Sequence, residues 1–219
     1  MKYKAVIFDL DGTLIDSMGV WEEVDKEYLQ RRNIPVPEDI FAEIAGGNSF
    51  REICLHFKDK FALSETIEEI GAEWTEMVAE HYETEVKLKP DVQKLLVSLA
   101  EQGVKIALGT SNSKLLAEKV LRANKVRDKF SVIVAGTDGI KGKPFPDIFL
   151  QAAAELGVKP QDCLVIEDVL VGVEAAKNAG MDVWAIFDQH ASKDFAKIAE
   201  MADFYAKDFL QIINKLNLG

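Results

Sequence analysis

Five short apolar runs, separated by helical stretches, limit what this 219-residue chain can fold into. Residues 3–10, 104–110, 131–135, 163–167 and 182–186 are rich in Val, Ile and Leu and too short for core helices. Runs that are apolar throughout suit strands covered on both faces. Between them, 91–102, 114–124, 147–156 and 171–179 read as helices, with Pro90 in a first helical turn and Gly103, Gly157 and Gly180 as C-terminal stops. Strand and helix in alternation predict an α/β fold, a parallel sheet with helices on both faces.

Residues 16–87 break that rhythm, because no strand pattern occurs there. Trp21, Val24, Tyr28 and Leu29 share one helical face, as do Ile67, Ile70, Trp74, Met77 and Val78. Ser49-Phe50-Arg51-Glu52 has the spacing of a capping box, and Ile34-Pro35-Val36-Pro37 and Gly46-Gly47-Asn48 are turn-like breaks. An all-helical insertion directly after the first strand is the simplest account. It predicts a discontinuous core, 1–15 and 88–219, and a helical domain, 16–87.

Charge and composition narrow the partners. With 26 Lys and Arg against 37 Asp and Glu, the net charge is −11. Such a field repels nucleic acid, and no basic stripe interleaved with aromatics is present. It also repels a free phosphorylated ligand, so a phosphate site here must rest on local donors and a bound cation. Cys54 and Cys163 match no metal-ligand spacing, and Cys163 opens an apolar run as a buried thiol would. No run approaches the roughly 18 apolar residues of a membrane span. The N-terminus reaches Asp9 too early for a signal peptide's apolar stretch, so a reduced cytoplasm is the expected setting.

In an open parallel sheet, ligands bind outside the carboxyl ends of the strands. The first run ends in Asp9-Leu10-Asp11-Gly12-Thr13 and the second in Gly109-Thr110-Ser111-Asn112. Gly142-Lys143-Pro144-Phe145-Pro146-Asp147 follows the third, and the fourth ends in Glu167-Asp168. Asp9 and Asp168 offer hard anionic oxygens to an octahedral Mg²⁺. Thr110 and the N–H groups of Ser111 and Asn112 suit phosphoryl oxygens, and Lys143 adds a positive charge. Asp11 is placed to act as general acid and then base. Each piece has a plainer reading: Asp-x-Asp-Gly-Thr as a turn, Thr110-Ser111-Asn112 as a helix N-cap, Gly-Lys-Pro as a loop, Glu167-Asp168 as a solvated cap. Their order, each behind an apolar run, favours the site.

These residues resemble the haloacid dehalogenase superfamily over nearly the whole chain. Asp9-Leu10-Asp11-Gly12-Thr13-Leu14 is similar to its first motif, Thr110 to its second, Lys143 to its third and Glu167-Asp168 to its fourth, with Gly172, Ala175, Ala176, Ala179 and Gly180 following. Val169 departs from the frequent Ser after Glu-Asp. The resemblance implies a Rossmann-like core with a mobile helical cap, in the phosphatase and β-phosphoglucomutase-like subfamily. It implies Asp9 as nucleophile forming an aspartyl-phosphate, and Asp11 as acid/base with its carbonyl on Mg²⁺. Asp168 would be a direct metal ligand and Glu167 would act through water.

The family's dehalogenases lack an acid where Asp11 stands, which leaves phosphoryl transfer on a small phosphorylated metabolite. Mutases of the family carry a His at the start of the first cap helix; here Met18-Gly19-Val20-Trp21 has none, which favours hydrolysis over the mutase alternative. His81 reads as a boundary residue. A non-catalytic binding protein would be expected to lose Asp9, Asp11, Lys143 or Asp168, and all are present. Asp16, Trp21, Gly46, Gly47, Asn48, Ser49 and Arg51 are candidates to face the substrate. Core packing of Trp21 and a surface ion pair of Arg51 stand as their alternatives. A monomer and a cap-mediated homodimer both remain open.

Overall fold

β1 (Ala5–Phe8), β2 (Lys105–Thr110), β3 (Val132–Ala135), β4 (Cys163–Glu167), β5 (Asp182–Ile186) and β6 (Phe204–Ala206) pair in parallel in the order β3-β2-β1-β4-β5-β6. The structure is a computed structural model that describes residues 2–37, 50–136 and 140–218. Successive side chains alternate faces, as the strand period requires. Val6, Phe8, Ile106 and Leu108 enter one apolar cluster, while Ala5, Ile7 and Ala107 enter another on the opposite face. The winding reverses at β1, which lies between β2 and β4. Register sets Phe8 beside Leu108 and Ile166, so the residues just beyond these strands emerge together at the switch point.

Among the described residues, three helices lie between β1 and the rest of the core: α1 (Met18–Arg31), α2 (Phe50–Lys60) and α3 (Ile67–Thr84). The predicted faces are the buried ones, with Val24, Tyr28 and Leu29 inside on α1 and Ile70, Trp74 and Val78 inside on α3. Trp74 anchors this layer, meeting the rings of Tyr28, Phe50 and Phe57 edge-on at 5.5, 6.1 and 4.7 Å. A complete capping box opens α3. The Thr66 hydroxyl accepts from the Glu69 N–H at 3.2 Å, and the Glu69 carboxylate accepts from the Thr66 N–H at 2.8 Å. The predicted box beginning at Ser49 starts outside the described residues.

The core helices are α4 (Val92–Glu101), α5 (Lys114–Ala123), α6 (Asp147–Leu156), α7 (Leu170–Asn178), α8 (Phe195–Met201) and α9 (Phe209–Lys215). The apolar cluster of the inserted helices runs on into α4, α5 and α9 through Leu96, Val120 and Ile212; α6, α7 and α8 cover the other sheet face. One expectation is corrected here. Pro90 is not in the first turn of α4, because Asp91 takes a left-handed conformation at φ 64° and the helix begins at Val92. The last strand and the last two helices carried no sequence expectation. No helix among the described residues is long and apolar enough to cross a membrane.

Candidate active site

Asp9 follows β1 directly, and Lys143 reaches it from the loop before α6. The ammonium donates to Asp9 Oδ1 at 2.6 Å and to Glu167 Oε1 at 2.5 Å, with all three side chains buried. Glu167, the last residue of β4, turns its second oxygen to the backbone N–H groups of Asp168 (2.7 Å) and Val169 (2.9 Å). Val169 is the N-cap of α7 and has no capping side chain. Glu167 satisfies the N–H of the N-cap residue itself and of the residue before it. This close approach needs Gly172, where a Cβ would sit 1.9 Å from Glu167 Oε1. Asp168 is fixed by the Thr13 hydroxyl, which donates to Oδ1 at 2.6 Å. Gly12 is required twice over: its φ is 81°, and a Cβ would meet Asp168 Oδ2 at 2.3 Å.

The charges in this cluster do not balance. Ligand oxygens of Asp9, Glu167 and Asp168 lie within 4.8 Å of one another. Burial pushes the Asp9 carboxyl above the usual carboxylate range; Lys143 pulls it down, and Glu167 pushes it further up. Burial first, then the charges of Glu167 and Asp9, push Asp168 up as well. Burial alone would lower the Lys143 ammonium, but Asp9 and Glu167 override it and hold the pKa high. One ammonium thus faces three buried carboxylates. A set of hard oxygen donors short of positive charge fits a divalent cation of the Mg²⁺ type.

Asp11 is held from several directions. Ser17 Oγ donates to Oδ1 at 2.6 Å, and Asn112 Nδ2 donates to Oδ2 at 2.9 Å. The Tyr82 hydroxyl, from the last turn of α3, also donates to Oδ1. Trp21 Nε1 donates to Tyr82 Oη at 2.8 Å and lies 3.4 Å from Asp11 Oδ1. Burial, then the Asp11 charge, push the Tyr82 phenol well above its ordinary value, so it stays a donor. The inserted helices therefore touch the core's acidic loop directly.

The sequence model of the family described as haloacid dehalogenase-like hydrolase matches residues 6–186. The chain belongs to this family. It is 37% identical to the β-phosphoglucomutase of Bacillus subtilis over 187 residues, covering 81% of this chain and 80% of that one. Hexitol phosphatase A of Escherichia coli is 32% identical over 194 residues, covering 85% and 84%. Among solved structures, CbbY from Rhodobacter sphaeroides in complex with phosphate superposes with a TM-score of 0.85 at 26% identity, covering 94% and 95%.

Set against the four motifs of the haloacid dehalogenase-like family, the expected core residues come together, and the described cap candidates Asp16, Trp21 and Arg51 stand apart from one another. Asp9, Lys143, Glu167 and Asp168 form one cluster, with Asp11 and Asn112 hydrogen-bonded beside it. Thr110 is buried, but its Oγ1 accepts the Asn112 N–H at 3.1 Å, so that N–H is engaged and does not stand free as a phosphoryl donor. The Asn112 side-chain amide donates to Asp11 Oδ2 at 2.9 Å and to Tyr82 Oη at 3.2 Å. The helix N-cap lies one residue on, at Ser113, whose Oγ accepts from the Leu116 N–H at 3.3 Å. Ser111 turns its carbonyl to the cap, accepting the Phe50 N–H at 3.0 Å.

The Trp21 ring packs edge-on against Phe50 and Tyr82, in keeping with its packing alternative, while its N–H enters the Asp11 network. Arg51 is exposed and pairs with Glu68 at 2.7 Å. Asp16 is exposed at the rim of a cleft shared with Lys87, Lys89 and Phe187. His81 pairs with Glu85 at 2.8 Å. Gly46, Gly47, Asn48 and Ser49 lie outside the described residues.

Three contributors went unread in the sequence, Ser17, Tyr82 and Lys89, and Thr13 was read as part of its motif without a role of its own. Lys89 donates to the Gly12 carbonyl and to Asp188, the latter at 2.8 Å, tying the chain's return from the cap to the acidic loop. Thr13 had a signal, standing two residues past Asp11. Tyr82 continues the apolar stripe four residues after Val78, where periodicity registers its ring and not its hydroxyl.

Proposed function

We propose that this chain is a Mg²⁺-dependent phosphatase that hydrolyses a small phosphorylated metabolite through an aspartyl-phosphate on Asp9. Residues 16–87 serve as the cap and residues 1–15 with 88–219 as the catalytic core. The observation that carries the reading is the buried cluster of Asp9, Glu167 and Asp168 braced by Lys143, with Asp11 two residues from Asp9. Membership of a hydrolase family with phosphatase and phosphomutase relatives supports it.

Mg²⁺ would be held by Asp9, Asp168 and the Asp11 carbonyl, with Glu167 acting through water, and would offset charge between a carboxylate nucleophile and a phosphate. The chain's own residues then account for the chemistry. An Asp9 oxygen bonds to phosphorus while the bond to the ester oxygen breaks, and the departing oxygen takes the proton of the Asp11 carboxyl. Water next bonds to phosphorus and gives its proton to the Asp11 carboxylate. The bond from phosphorus to Asp9 breaks, releasing phosphate and restoring both acids. Lys143 fixes Asp9 Oδ1, leaving its other oxygen for attack. Thr110, Ser111 and Asn112 line the phosphoryl end.

The mutase reading is favoured by the β-phosphoglucomutase relative and opposed by the absence of a His among Met18-Gly19-Val20-Trp21. The deciding experiment is a phosphate-release screen over sugar, polyol and nucleotide monophosphates with and without Mg²⁺. β-Glucose 1-phosphate is followed in parallel for conversion to glucose 6-phosphate. Metal-dependent release that falls at least about 10³-fold in Asp9→Asn is expected. Isomerisation with little free phosphate would establish the mutase. Undiminished release by Asp9→Asn would remove Asp9 as nucleophile.

A further inference from the structure

The acid/base Asp11 sits on a turn, and the hydrogen bonds that orient its carboxylate come largely from outside the core motifs. Tyr82 is fully buried and its hydroxyl is saturated. It donates to Asp11 Oδ1, accepts from Trp21 Nε1 at 2.8 Å and accepts from Asn112 Nδ2 at 3.2 Å. A phenol with both lone pairs and its proton engaged has one orientation. Asn112 belongs to the core, whereas Tyr82 and Trp21 belong to α3 and α1. Ser17 is the N-cap of α1 and lies in the same inserted segment, so withdrawing those helices removes Tyr82 and Trp21 together, and the Asn112 amide is the Asp11 partner that the core itself holds.

We propose that Tyr82, seconded by Trp21, is a positioning residue through which the cap orients the Asp11 carboxyl, so that proton transfer to the leaving oxygen is available only with the cap seated. This rests on the phosphatase reading above. Catalytic groups tolerate only about 0.5 Å and 10–20° of misplacement. A carboxyl that has lost a buried donor gains rotamer freedom of that size.

A readout that a purely structural role would not move is leaving-group dependence. Phosphoenzyme formation would be measured by rapid quench on the whole chain with Mg²⁺. Two substrates are used: the sugar or polyol phosphate turned over fastest, and p-nitrophenyl phosphate, whose leaving group departs without a proton. Tyr82→Phe should slow the first at least about tenfold and the second less than about twofold, with KM little changed. Trp21→Phe should shift the same ratio by a smaller factor, and carries the test if Tyr82→Phe does not fold. Glu83→Ala, which cuts the neighbouring cap–core ion pair to Lys119, should keep the wild-type ratio. Equal losses on both substrates, or no loss, would overturn the proposal. Asp11→Asn separates the two levels. If it shows the leaving-group dependence and Tyr82→Phe does not, only the positioning role falls. If Asp11→Asn shows none, the acid/base reading falls, and this inference with it.

Discussion

Asp9 at the end of β1 and Asp25 on α1 are both buried carboxyls with raised pKa values, yet their surroundings are opposites. Asp9 shares its space with an ammonium and two further carboxylates. Asp25 has no hydrogen bond or ion pair among the described residues; burial, then Glu22, push its carboxyl up to about 7. The contrast extends to neutral groups. Tyr28 Oη and Trp74 Nε1 are buried in the cap without a partner, while at the core's acidic edge, among the described residues, no buried side-chain polar atom is left that way. The difference teaches that burial does not mark a working acid; convergent partners do. At the core edge, burial builds an excess of negative charge that fits a cation. In the cap it is only a stability cost, of about 1–3 kcal/mol for each unmet polar group.

Four substitutions test how far this contrast holds. The largest effect is expected for Lys143→Ala, which leaves Asp9 and Glu167 facing each other in a dry site. Phosphate release should fall at least about 10²-fold and unfolding free energy by about 3 kcal/mol. A fully active, equally stable variant would mean that the core edge is as indifferent to its partners as the cap. Gly172→Ala comes next, because the new methyl displaces Glu167. Chemical denaturation should show a loss of about 2 kcal/mol, with activity reduced about tenfold.

Asp25→Asn should act in the other direction. A carboxyl whose folded pKa is about 7 against an ordinary 3.8 is held charged at a cost above pH 7. That cost shrinks as pH falls from 7 to 4 and is absent below. The variant should therefore be more stable than the parent by about 1–2 kcal/mol at pH 8, and the gain should shrink by pH 5. A gain of equal size at both pH values would show that charge is not the cause. The smallest effect is expected for Arg51→Ala. Its pair with Glu68 is exposed, so stability should move by less than about 0.5 kcal/mol and turnover by less than about twofold. A large rise in KM would return Arg51 to the substrate.

The sheet was legible where strands are covered on both faces. The runs at 163–167 and 182–186 have the observed bounds of β4 and β5, because their Val, Ile, Leu and Trp side chains pack on both faces of the sheet. Phe204–Ala206 was not legible, being an edge strand of three residues, two of them part-exposed. Asp9, Lys143 and Glu167 could be read because each follows an apolar run at the sheet's carboxyl edge. Tyr82 and Ser17 could not, because their partner Asp11 is 71 and 6 residues away and neither spacing follows a helix or strand period. Asp91 defeated the placement of Pro90 for a related reason: a left-handed non-glycine residue leaves no mark in composition.

The Phe50 N–H bond to the Ser111 carbonyl joins cap and core through main-chain atoms alone. No side-chain replacement at either position deletes that donor or acceptor, proline at 50 excepted, so the latch is insulated from most sequence drift. It also makes one amide a clock. Any excursion of α2 away from the core would expose the Phe50 N–H to solvent, and its deuterium uptake would report it without any label on the cap.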